Sequence, residues 1–117
     1  HGIAAVKDPS VLALLRERGI ALEISITSNW IVGAVPSPEA HPIRRLRDLG
    51  VTVTVNTDDP ALFDVTLGGE LALAARLLDL DLDGLLALQR VAVEAGFAPA
   101  AAKRRALARM AAWAGDP

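Results

Sequence analysis

The clearest pattern in the chain is V-T-V-T-V-N at 51–56, where apolar and polar residues alternate as a half-buried strand requires. A second short alternation, A-L-E-I-S-I-T at 21–27, predicts another strand. Helical spacing governs most of the rest. The run 8–20 opens on Asp8-Pro9 and stops at Gly19, the start and stop signals of a helix. The run 41–50, H-P-I-R-R-L-R-D-L-G, reads as a short basic helix with Gly50 as its C-cap. Three Ala- and Leu-rich runs at 66–80, 82–96 and 99–115 predict consecutive helices, with Trp113 as a core anchor near the end of the last. Residues 28–40 hold two prolines, a glycine and Ser/Asn, and so predict a loop.

Helix, strand, helix, strand in quick alternation implies parallel strands with crossover helices, hence an α/β fold. Two strands are visible, with room for a third ending at His1. A parallel sheet this small leaves open edges and a poorly covered face. The remaining strands are therefore expected before His1. The chain starts with His1 and Met110 is its only methionine, which points the same way. Residues 1–117 are read as a single partial domain of a longer chain.

Composition narrows the classes. The chain is 52% hydrophobic with a formal net charge of -2, which gives ample core and no electrostatic reason to expect nucleic acid or an anionic membrane as partner. No apolar run approaches the roughly 18 residues of a membrane span. The absence of cysteine excludes disulfides, thiolate nucleophiles, Cys-type zinc sites and the zinc deaminases built on H-x-E and P-C-x-x-C. A cytoplasmic location fits that absence.

The candidate chemistry sits where the 51–56 strand ends, in N-T-D-D-P. Adjacent carboxylates disfavour each other's ionisation unless a cation, a donor or water compensates. One reading is capping, with Asp59 as N-cap and Pro60 at the first helical position. The other is function. If the extended run continued to Asp58, then Thr52, Thr54, Asn56 and Asp58 would share one face, opposite Val51, Val53 and Val55. Functional residues of α/β barrels gather at the C-terminal ends of strands, where Asp58 and Asp59 lie. Single features elsewhere, His1-Gly2 and Ser28-Asn29 among them, are weaker. His1 and His41 each suit a surface or satisfied core position, His41-Pro42 suits a helix start, and Glu23 suits the solvent-facing rim of a sheet.

Taken together, H-G-I-A-A-V-K-D-P (1–9), L-E-I-S-I-T-S-N-W (22–30), the long run 34–63 ending in N-T-D-D-P-A-L-F, and E-A-G-F-A-P-A-A-A-K-R (94–104) resemble the C-terminal part of the adenosine deaminase family. The resemblance implies the last strands and C-terminal helices of a (β/α)8 TIM-type barrel. It implies one divalent ion, usually Zn2+, and hydrolytic deamination of adenosine or a related purine nucleoside to an inosine-type product and ammonia. Asp58 matches a metal ligand, and Asp59 a side chain that hydrogen-bonds the purine at its imidazole-side nitrogen. His1 matches the histidine that orients, or takes a proton from, the metal-bound hydroxide. The family's H-x-H and H-A-G-E segments are not in this chain, and its Cys-Pro is Ser25-Ile26 here. The chain alone is thus expected to hold half a site and to need the N-terminal part of the same barrel. A deaminase of adenine or aminodeoxyfutalosine is the alternative within that chemistry, and a non-catalytic interaction module is the alternative outside it.

Overall fold

A computed structural model describes residues 1–114. After a 3-10 turn at Ile3–Lys7, the elements run α1 (Pro9–Arg18), β1 (Leu22–Ile24), α2 (Ile26–Ile31), a 3-10 turn at Pro38–Ala40, and α3 (Ile43–Asp48). They continue as β2 (Val53–Val55), α4 (Pro60–Phe63), α5 (Leu67–Leu78), α6 (Leu82–Ala95) and α7 (Ala100–Ala114).

The two strands pair in parallel, with Leu22 opposite Val53, Glu23 opposite Thr54 and Ile24 opposite Val55. The expected parallel arrangement is therefore present, and both strands deliver their C-terminal ends to the same side. A strand ending before His1 lies outside the described residues. Two strands of three residues are marginal by themselves. Apolar burial holds them: Ile24, Ile26, Ile43 and Leu46 are fully buried, and Val53 and Val55 are buried with them. Each such side chain stabilises by roughly 1.5–3 kcal/mol. α6 packs on β2, and α5 contacts α2, α3 and β2, so the helical half covers the strand pair. Among the described residues no helix is long and apolar enough to cross a membrane.

The helix boundaries follow local chemistry closely. Asp8 caps α1 by accepting from the Ser10 and Val11 amides, and Gly19 ends it in the left-handed conformation at φ 60. Thr66 and Asp81 cap α5 and α6 by accepting from Gly69 and Gly84. These are the side-chain caps that Thr and Asp favour.

Four expectations need correction. The 21–27 strand stops at Ile24, because Ile26 and Thr27 already belong to a helix. That same helix, α2, occupies the start of the predicted 28–40 loop. The extended run does not reach Asp58, whose φ of 60 is left-handed. Trp113 is 59% exposed rather than a core anchor. The reason is that α7 packs chiefly on α6 alone, which leaves most of its circumference uncovered.

Candidate functional site

The site forms because the strands are parallel and in register. β1 leads directly into α2, and β2 leads into Asn56, Thr57 and Asp58, so the two strand ends lie side by side. Across that gap the Ser28 hydroxyl donates to Asp58 Oδ2 at 2.6 Å. His1 reaches the same oxygen, with Nε2 at 3.2 Å. His1 and Asp58, the predicted catalytic and metal residues, are thus brought together. Gly2 is what permits the approach of His1. Its φ is 76, and an added Cβ would stand 2.8 Å from Leu22 Cδ2. A left-handed residue in contact with the strand is a glycine position.

Asp58 turns the chain rather than extending it. Aspartate tolerates the left-handed region better than most residues, and that turn separates the direction of Asp58 from that of Asp59. Asp59 occupies the N-cap position of α4, followed by Pro60, yet its side chain makes no cap hydrogen bond. The backbone takes the capping geometry while the carboxylate stays unused by the helix. Asp59 is exposed beside the cleft.

An open cleft of about 410 Å³ sits over these strand ends, lined by His1, Glu23, Ser25, Asn56, Asp58 and Leu67 among others. Glu23 is exposed, as expected at the rim of the sheet, and lines this cleft. A second cleft of about 730 Å³ shares His1, Glu23 and Asn56 and continues over Ile20, Leu22 and Phe97.

Three further side chains hold the site: Glu70, which the pattern does not single out, and Asn29 and His41, which it offers only as weak single features. Glu70 of α5 is buried at 2% exposure and accepts from the Ile26 amide at 2.9 Å and the Thr27 amide at 3.3 Å, and also from the Thr27 hydroxyl. It caps α2 from another helix. A signal existed, because Glu70, Ala74 and Leu78 form the buried i, i+4, i+8 stripe of α5, and a carboxylate in such a stripe needs partners. Asn29 and His41 are 4% and 6% exposed. Asn29 Nδ2 lies 3.0 Å from His1 Nδ1, and Asn29 Oδ1 lies 3.0 Å from His41 Nε2. The Ile43 amide donates to His41 Nδ1 at 3.1 Å, so this histidine both opens α3 and reaches the site. Burial pushes His41 down to about 4.

As a metal site the arrangement is a part of one. Among the described residues no group of three or more His, Cys, Asp or Glu side chains is placed to hold an ion, whereas catalytic zinc takes three protein ligands. Asp58 fits as one of those ligands. Among the described residues its side-chain hydrogen bonds fall on Oδ2, which leaves Oδ1 for coordination.

Comparison with known proteins identifies the family. The family model described as adenosine deaminase matches residues 1–113. The aminodeoxyfutalosine deaminase of Streptomyces avermitilis is 45% identical over 117 residues, covering 97% of this chain and 33% of that protein. The adenine deaminase of Rhizobium rhizogenes is 36% identical over 110 residues, covering 94% of this chain and 34% of that protein. Among solved structures, an adenine deaminase from Arthrobacter aurescens superposes with a TM-score of 0.90 at 26% identity, over 99% of this chain and 36% of that one. The chain spans about a third of the length of the relatives it matches. Its fold is the C-terminal part of a TIM-type α/β barrel, the last strands plus the C-terminal helices. By its sequence and its fold, the chain belongs to the adenosine deaminase family.

Proposed function

We propose that this chain works as the C-terminal portion of a longer barrel, referred to below as the barrel-length protein, and that it carries half the active site of a purine deaminase. The observation that supports the reading most directly is the convergence of His1 and Ser28 on one oxygen of Asp58 at the C-terminal ends of parallel strands. Asp58 would be one ligand of a single divalent ion, Zn2+ by family precedent. Such an ion would lower the pKa of bound water to about 7, which would make hydroxide available near neutrality. The chain's own residues do the rest. Ser28 holds Asp58 in place, and His1 fixes the attacking oxygen. Asp59, unused by α4, hydrogen-bonds the imidazole side of the purine. Water replaces the ring amino group and ammonia leaves.

The family resemblance by itself points first to adenosine. The relatives shift that preference, since a 45% identical one is named for aminodeoxyfutalosine and a 36% identical one for adenine. Aminodeoxyfutalosine is the proposed substrate, with adenine second. The test is ammonia release by the barrel-length protein from aminodeoxyfutalosine, adenine and adenosine. The expected order of kcat/KM is the order just given. No ammonia from any of the three would overturn the proposal.

A further inference from the structure

The hydrogen bonds behind His1 have one consistent direction. Their start is the Ile43 backbone N–H, which donates and never accepts. It donates to His41 Nδ1 at 3.1 Å, so that nitrogen holds a lone pair and the proton of the neutral ring is on Nε2. His41 Nε2 stands 3.0 Å from Asn29 Oδ1, and the N–H donated there fixes which way the amide points. The amide NH2 is then left facing His1 Nδ1 at 3.0 Å. An amide N–H also only donates. His1 Nδ1 therefore accepts, and the ring proton is on Nε2, 3.2 Å from Asp58 Oδ2.

Asn29 is held firmly enough to set this. Its backbone N–H donates to the Ser25 carbonyl, and its backbone carbonyl accepts from the Ala34 and Val35 N–H groups, which ties α2 to the turn that follows. Both relay side chains are buried. A wrong orientation of the Asn29 amide would set donor against donor at His41 and leave two buried polar groups unpaired, at a cost of ~1–3 kcal/mol each.

We propose that Asn29 and His41 are positioning residues that lock His1 as its Nε2–H tautomer, so that the ring donates a hydrogen bond towards Asp58 and the attacking oxygen instead of taking a proton at Nε2. Of the two roles the sequence left open for His1, orienting or accepting, the relay selects orienting. The catalytic meaning rests on the deaminase reading above, whereas the tautomer itself does not. Outer hydrogen-bond partners of metal ligands commonly fix a ring in this way, and losing one typically costs 10–100-fold in metal affinity or activity, the scale taken here for the ring beside the ligand Asp58.

The test is nitrogen NMR of the histidine rings in the barrel-length protein as isolated, with His1 assigned by the signals lost in His1→Gln. The expected spectrum has His1 Nδ1 unprotonated and Nε2 protonated. Asn29→Asp places an acceptor against Nδ1 and is expected to bring a proton there. It should also lower kcat roughly 10–100-fold while leaving KM within about twofold, since residue 29 does not line the cleft. A wild-type His1 with its proton on Nδ1 overturns the proposal, and this holds even if the variant fails to fold. So does an Asn29→Asp protein whose ring signals and kcat are unchanged. A protein that deaminates none of the three purines would defeat the functional reading alone, because the ring signals are read without substrate.

Discussion

At the residue scale, two carboxylates adjacent in sequence stand in different surroundings. Asp58 accepts from Ser28 and His1 on one oxygen, while Asp59 lies exposed with no cap bond. In the barrel-length protein, Asp58→Asn is expected to lose the metal, because an amide is a poor ligand and cannot offset the ion's charge. Asp59→Asn is expected to keep the metal and lose activity. A charge-assisted bond of ~1.5–3 kcal/mol corresponds to roughly one to two decades in kcat/KM. Metal content measured beside kcat/KM separates the two, and zinc lost from Asp59→Asn but kept by Asp58→Asn would reverse the assignment. His41 supplies a pH signature. Its folded pKa of about 4 lies below the ordinary 6.5 because burial disfavours the charged ring. Between those values the unfolded chain binds the proton and the folded one does not, so stability falls as pH drops from about 6.5 to about 4. Melting temperatures of wild type and His41→Asn across that range should show the steeper decline in wild type. Parallel curves would mean that His41 is not the group responsible.

At the scale of elements, α2 matters more than its six residues suggest, because it carries both Ser28 and Asn29. Its N-terminus has no cap from its own Ser25. Glu70 of α5 provides the cap instead, so the site depends on a helix more than forty positions away in sequence. Glu70→Ala would strand the Ile26 and Thr27 amides and the Thr27 hydroxyl. The expected cost is ~2–3 kcal/mol, read as a lower denaturation midpoint of the barrel-length protein. Glu70→Gln keeps one acceptor oxygen and should lose less. Equal losses in the two variants would show that the acceptor contacts are not what Glu70 contributes.

At the scale of the whole molecule, no three His, Cys, Asp or Glu side chains among the described residues are placed to hold an ion. The proposed site draws one ligand, Asp58, from this chain where a catalytic zinc needs three. The 117-residue chain alone is therefore expected to retain no stoichiometric zinc after dialysis and to release no ammonia from any of the three purines. Zinc retained at one equivalent, measured by elemental analysis, would mean that ligands within this chain had been overlooked.

Local chemistry made much of this legible in advance. Caps and stops set the ends of α1, α5 and α6 within a residue or two, because Asp8, Thr66, Asp81 and Gly19 act on amides and carbonyls a few positions away. The alternations at 21–27 and 51–56 marked both strands, and the helix–strand order implied the parallel pairing that they adopt. His1, Asp58 and Asp59 were legible as a constellation through the resemblance of their motifs, and parallel pairing then brought His1 and Asp58 within reach of each other. What the sequence could not disclose is whatever depends on distant segments meeting. The left-handed turn at Asp58, the capping of α2 by Glu70, and the line from Ile43 through His41 and Asn29 to His1 are of this kind. Trp113 failed for the same reason: an apolar residue on a helix becomes core only where another element covers it, and α7 is covered on one side. Propensity and capping act over a few residues, so they can be read along the chain. Burial and hydrogen-bond direction are properties of neighbours in space, and only the tertiary structure supplies those.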